Sequence, residues 1–281
     1  MGSDNYGVIY YESLAMNQPQ LSLAANSIDF WMTRISEHTD AQALEKYRTF
    51  ITDAEQIEIN KLRFENNKKS ALITRGFIRT VLSHYAVVAP QDWRFNKTEH
   101  GKPGIFQPPI QLKFNLSHSG DLIVAGITST NEIGVDVQFI NQHIETDLIA
   151  EQYFSKQEFS AMQHLQDGAR QLRFFELWVL KEALIKTSGI GLSKQLNTFS
   201  FDFDHKNPLH IQLENTGQQC AATQSWLYKI DDDYRSAITV NNASAGEFTL
   251  RFFEIVPNVY LRPAKTITPL RKTEVTQIQA I

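Results

Sequence analysis

The stretch Phe174-Phe175-Glu176-Leu177-Trp178-Val179-Leu180-Lys181-Glu182-Ala183-Leu184-Ile185-Lys186 reads as a helix that is apolar almost all round from 174 to 185. That pattern marks a helix buried in a core rather than laid on a surface. Glu182 shares the stripe of Phe175, Trp178 and Val179, at helical offsets of seven, four and three. An unpaired carboxylate there costs several kcal/mol or takes up a proton, so it calls for a cation. Lys186, one turn on, could supply that charge. The same two residues also fit an i,i+4 surface ion pair, worth only about 0.3–0.5 kcal/mol.

Outward from this helix, a helical block runs from about Ser155 to Ser188, with Gly189 placed to stop it. Strand-like runs follow at Phe199–Phe203, Ile211–Leu213, Trp226–Ile230, Ala237–Val240 and Thr249–Val256. Upstream, Ser27–Met32 reads as a first strand. Asp53–Tyr85 turns helical, with Leu72, Phe77, Ile78, Val81 and Leu82 recurring near a 3.6 period. Trp93-Arg94-Phe95 leads into the turn Gly101-Lys102-Pro103, and Leu112–Leu116 alternates with period two. Leu122–Ile127 and Ile133–Val137 read as paired strands joined by the polar turn Ser129-Thr130-Asn131-Glu132. Strand, helix, strands thus occurs twice. The pattern predicts an α+β chain of two halves of similar build, 28–129 and 130–256. An N-terminal extension (1–27) and a mobile tail (257–281) with Arg262, Lys265, Arg271 and Lys272 flank them.

A hydrophobic content of 42% and a charged content of 21% over 281 residues place the chain among soluble globular proteins. The single cysteine, Cys220, cannot form an internal disulfide. The N-terminus shows no signal peptide, and no stretch is long enough to span a bilayer. The expectation is a cytoplasmic protein with no membrane partner. A net charge of −4 gives no reason to expect a non-specific nucleic-acid binder.

Three further segments carry chemistry. In Gly134-Val135-Asp136-Val137-Gln138, strand alternation sets Asp136 and Gln138 on one face, two oxygen donors suited to a hard cation such as Mg²⁺. A solvated edge strand gives the same pattern. Asn115-Leu116-Ser117-His118-Ser119-Gly120, directly after a strand, offers small hydroxyls, a histidine and a glycine as a phosphate cradle. Its Ser-His pair is no hydrolase signature: adjacent residues rarely orient for nucleophile activation, and Gly-x-Ser-x-Gly is missing. Lys68, Lys69, Arg75 and Arg79 make the first helix basic, with Lys102 in the Gly-Lys-Pro turn. Arg75 and Arg79, one turn apart, could clamp a phosphate, or the run could be a solvated face.

Taken in order and spacing, these segments resemble the Sfp-type 4'-phosphopantetheinyl transferases from about residue 28 to 255, Tyr153-Phe154-Ser155 included. The resemblance implies two pseudo-symmetric α+β halves with the active site and coenzyme A between them. The N-terminal half would bind coenzyme A, and the C-terminal half would carry the metal and the catalytic groups. Asp136 and Glu182 match the family's Mg²⁺ carboxylates. Gln138 stands where Glu is commonest and is expected to ligate through its amide oxygen or a water. Lys102, Ser117, His118 and Lys186 match residues that hold the phosphates, and Arg75 and Arg79 resemble the basic helix. Lysines that some members carry upstream of that helix have no clear counterpart; position 60, for instance, is Asn.

The implied reaction is attack by a serine of an apo acyl- or peptidyl-carrier protein on the phosphate nearest the pantetheine, releasing adenosine 3',5'-bisphosphate. Glu182 is the candidate general base, with Lys186 and Asp136 also catalytic. The enzyme is expected to be a monomer, and fatty acid, polyketide and nonribosomal peptide carriers all stay open. Two rival readings stand beside it: a non-catalytic binding module of the same fold, disfavoured because Asp136 and Glu182 are both present, and another metal-dependent phosphoryl enzyme. Gln138 lowers the carboxylate count below what two-metal sites of the second kind use.

Overall fold

The structure, a computed structural model, describes residues 21–98, 101–140, 143–188, 196–203, 211–215, 223–241, 246–256, 260–263 and 267–273. Most of the N-terminal extension, the stop expected at Gly189 and much of the tail lie outside these residues.

The strands alternate between two apolar destinations, and that alternation builds the layers. In β1 (Ser27–Arg34), Ile28, Phe30 and Met32 enter one core while Trp31 enters another. The same division holds in β5 (Leu122–Thr128), where Leu122 and Val124 oppose Ile123 and Ala125. In β6 (Ile133–Phe139), Ile133, Val135 and Val137 share the first of these cores. That core is the seam between two sheets packed face to face. One sheet runs β12-β11-β1-β5-β4 and the other β13-β9-β10-β6. Here β4 is Lys113–Ser119, β9 Thr223–Lys229, β10 Tyr234–Asn241, β11 Thr249–Val256, β12 Tyr260–Pro263 and β13 Arg271–Lys272. Helices α1 (Ala41–Phe50), α2 (Asp53–Asn60) and α3 (Glu65–Ser83) cover the outer face of the first sheet. Helices α4 (Thr146–Tyr153), α5 (Lys156–Gln163) and α6 (Asp167–Ser188) cover that of the second. Among the described residues, no helix is long and apolar enough to cross a membrane.

Several expectations need correction. β5 and β6 do not pair: β5 lies between β1 and β4, whereas β6 pairs with β10. The turn between them carries the chain from one sheet to the other. Gly126 permits their close approach, since a Cβ there would come within 2.6 Å of Ile133 and Val135. β11, from the far end of the second half, pairs parallel with β1 in the first half's sheet. Within the tail, Arg262 lies in β12 and Arg271 and Lys272 in β13. The segment Asn115–Ser119 is itself part of β4 rather than following a strand.

Each helical block is two helices rather than one, and α1 and α4 lie outside the blocks that the pattern predicts. The first helix of each block begins in the same way in both halves. Thr52 caps α2 and Ser155 caps α5, each in a capping box closed by the glutamate three residues on, Glu55 and Glu158. Each of these glutamates also pairs with a cation on the long helix that follows. Glu55 holds Arg79 at 2.7 Å, and Glu158 holds Lys181 at 2.7 Å. The shared device gives the two halves a common plan.

Candidate active site

β6 is the edge of its sheet and lies against β4, the edge of the other. An edge leaves backbone donors without ladder partners, and β4 answers them with side chains of one strand face. Asn115 accepts from the Val135 N–H at 2.9 Å and Ser119 from the Phe139 N–H at 3.0 Å. Between them, Ser117 donates to Asp136 Oδ1 at 2.7 Å. The alternation in Asn115-Leu116-Ser117-His118-Ser119 is therefore a polar seam joining the two sheets.

Helix α6 lies on the face of β6 that carries Asp136. Gly134 allows this, because a Cβ there would sit 2.0 Å from the Ala183 carbonyl oxygen and 2.6 Å from the Thr187 nitrogen. The close approach brings Glu182 and Lys186 over the strand. Lys186 Nζ donates to Asp136 Oδ1 at 2.6 Å, Ser117 Oγ at 3.0 Å and the Val135 carbonyl at 3.2 Å. The expected Glu182–Lys186 ion pair is not formed, because Asp136 takes the lysine. Glu182 is half-buried and makes no hydrogen bond or ion pair among the described residues. Burial foremost, and then the neighbouring Asp136 charge, push its pKa up; Lys186 opposes them. Gln138 donates to Asp136 Oδ2 at 3.2 Å and accepts from Ser119 at 3.4 Å. His118 reaches the cleft from an exposed position on β4. Partial desolvation, then Lys186, lowers its pKa against the pull of Asp136.

These side chains line a cleft of about 610 Å³. Opposite the polar groups stands an apolar wall of Ile149, Tyr153, Trp178 and Leu196. The sequence marked Tyr153 and Trp178. Ile149 and Leu196 carried no signal, since their place depends on α4 and on the chain returning after α6.

The remaining sequence candidates lie elsewhere. Arg75 and Arg79 line a second cavity of about 500 Å³, with Arg94, Phe95, Lys97 and Leu116, and Leu116 also borders the first cleft. Arg79 is only 1% exposed, paired with Glu55 and stacked 4.8 Å from the Phe95 ring centre, and its Nε has no hydrogen-bond partner. Its charge is therefore already engaged. Arg75, partly exposed, approaches Glu55 at 3.8 Å and is the more accessible cation. Lys102 does not line the first cleft. Its ammonium donates to Glu132 Oε2 at 3.0 Å, the Ile133 carbonyl at 3.2 Å and the Thr187 carbonyl at 3.1 Å.

Carboxylates, an amide, a hydroxyl and an ammonium gathered in one open cleft suit a phosphorylated ligand. The comparisons give this class a family. Residues 132–239 match the 4'-phosphopantetheinyl transferase superfamily, and residues 38–130 match 4'-phosphopantetheinyl transferase, N-terminal. A 4'-phosphopantetheinyl transferase of Bacillus subtilis is 32% identical over 167 residues, 59% of this chain and 71% of the relative. The 4'-phosphopantetheinyl transferase HetI of Nostoc sp. is 28% identical over 178 residues, 63% and 74% of the two chains. The 4'-phosphopantetheinyl transferase Sfp of Bacillus subtilis is 28% identical over 194 residues, 69% and 84%. The chain belongs to the 4'-phosphopantetheinyl transferase family, in its Sfp-type branch.

Proposed function

We propose that the chain transfers 4'-phosphopantetheine from coenzyme A to a serine of an apo acyl- or peptidyl-carrier protein. The products are the holo-carrier protein and adenosine 3',5'-bisphosphate. The observation that carries this reading is the meeting of Asp136, Gln138, Glu182, Lys186 and Ser117 in one cleft, within a chain of this family.

The donor set fits Mg²⁺. Among the described residues no group of three or more His, Cys, Asp or Glu side chains is placed to hold a metal. A hard cation that draws on two carboxylates, an amide oxygen, waters and substrate phosphate oxygens needs no such group. Asp136, Gln138 and Glu182 would hold it, and a half-buried Glu182, its pKa raised by burial first and by the Asp136 charge second, is a reason to expect a cation between them. When bound, the ion neutralises charge on the diphosphate.

The residues divide the remaining work. Lys186, held by Asp136 and Ser117, presents its ammonium to a phosphate oxygen. Glu182, which has no hydrogen-bond donor among the described residues, accepts the proton of the attacking serine hydroxyl. The serine oxygen bonds to the phosphorus nearest the pantetheine as that phosphorus releases the bridging oxygen to the departing bisphosphate. His118 and Arg75 stand where they can bind the phosphates, and the apolar wall of Trp178 and Tyr153 keeps water from that side of the cleft.

Incubation with coenzyme A, Mg²⁺ and an apo carrier protein, followed by intact mass, tests the proposal. A carrier heavier by one phosphopantetheine, absent when the metal is chelated, is the expected result. An unmodified carrier across a panel of fatty acid, polyketide and peptide carriers would overturn it.

A further inference from the structure

We propose that Lys102 is a positioning residue, a latch that ties the last turn of α6 to the hairpin of the other half. The hairpin is formed by β2 (Phe95–Lys97) and β3 (Pro103–Ile105). The inference rests on the functional reading above, because it concerns the helix that carries Glu182 and Lys186, but it assigns Lys102 a role other than phosphate contact.

Three observations carry it. The Lys102 ammonium has three hydrogens and three acceptors within 3.2 Å, so a phosphate could engage it only by displacing one of them. One acceptor, the Thr187 carbonyl, is among the last four of α6, which have no partner within the helix. A cation there both satisfies the carbonyl and complements the negative end of the helix. Another, Glu132, lies on the turn into β6 and also binds Lys113 of β4 at 2.8 Å. The latch therefore spans the hairpin, the start of β6 and the end of α6.

The same turn is fixed from its other side. Thr187 Oγ1 donates to Ala183 and accounts for a contact with the Thr239 carbonyl at 3.2 Å, while Gly134 admits the helix backbone. Lys186, the residue before Thr187, is thus held at bonding distance of Asp136. Phe95, Asn96, Lys97 and Pro103 of the hairpin line the second cavity. Lys102 is then a rigid link between the wall of that cavity and the catalytic helix.

Amide hydrogen exchange on the free chain tests the latch without any reaction. In Lys102→Met, amides of the last turn of α6 should exchange about tenfold faster while α3 keeps its protection. The transfer rate kcat should fall about tenfold with the coenzyme A KM within about threefold, and Lys102→Arg should recover part of it. Unchanged exchange in that turn overturns the proposal. So does a KM raised about tenfold at unchanged kcat, which would make Lys102 a phosphate ligand. If Lys102→Met does not fold, Glu132→Ala removes one acceptor and should loosen the same turn by about threefold; wild-type exchange there overturns the latch as well. Failure of the wild-type chain to modify any carrier would count against the function, while the exchange result would still decide the latch.

Discussion

Glu182 and Gln138 carry the sharpest consequences of single side chains. Glu182 sits half-buried beside Asp136 without a hydrogen bond, so its charge is costly until a cation or a proton offsets it. Glu182→Gln removes that charge and the proposed proton acceptor together. Transfer should fall by about 10²–10⁴-fold, while the melting temperature stays the same or rises. An intact-mass rate assay beside a thermal melt checks both; turnover within a few-fold of wild type would remove Glu182 from the mechanism. Gln138 already bonds Asp136 through its amide nitrogen, and in the proposed mechanism it tunes the metal site rather than serving as a principal ligand. Gln138→Ala should cost far less activity than Asp136→Ala. Gln138→Glu should tighten Mg²⁺ binding in the absence of coenzyme A. A Mg²⁺ titration of rate and of binding across the three variants decides this, and equal inactivity of the two alanine variants would overturn it.

Among the elements, the contact between α6 and β6 sets the site, and Gly134 is its tightest point. An alanine Cβ there would overlap the Ala183 carbonyl oxygen at 2.0 Å. Backbone cannot swing aside as a side chain does, so the helix or the strand must move. Gly134→Ala should cost about 1–3 kcal/mol or more of stability. It should also carry Glu182 and Lys186 away from Asp136 and abolish metal-dependent coenzyme A binding. Urea unfolding and calorimetry measure the two effects; a stable variant with unchanged binding would show that the contact does not position the site. The buried Glu158–Lys181 pair serves α6 in another way. Lys181, fully buried, also bonds the Leu196 and Phe199 carbonyls at 2.8 and 2.7 Å. It thereby brings Leu196 to the cleft wall from the side of the helix that carries no catalytic group.

For the whole molecule, pH should act through two buried histidines. His38 bonds Thr33 at 2.8 Å, and His84 stacks on Trp31. Burial lowers both pKa values to about 4, with Lys69 adding to the effect at His38. The folded protein keeps them neutral, whereas the unfolded chain takes up their protons near the ordinary histidine value of 6.5. Their contribution is therefore complete above pH 6.5 and is lost as pH falls toward 4. Each should account for about 2 kcal/mol of lost stability by pH 5. Thermal melts between pH 7.5 and 5 should show this decline. His84→Phe, which keeps a ring beside Trp31, should flatten it by about half; an unchanged slope would remove His84 as a cause.

The sequence by itself determined what depends on neighbours along the chain. Periodicity identified the buried helix around Glu182 and the alternation that places Asp136 and Gln138 on one strand face, and the order of the motifs carried the resemblance to the family. These readings hold because residues within a few positions share one helix stripe or one strand face whatever surrounds them. Tertiary structure decided which faces meet. β5 and β6, adjacent and both apolar, look like a hairpin, yet each is buried on two sides and so belongs to a different sheet. Asp136 rather than Glu182 takes Lys186 because β6 passes beneath α6, a contact 50 residues long in sequence. Arg79 resembled a phosphate clamp until Glu55, 24 residues earlier, engaged it. Lys102 looked free in its turn, and its three acceptors come from a later turn, strand and helix end. A charged side chain settles on whichever partner packing brings within reach, and packing at that distance is not written in local pattern.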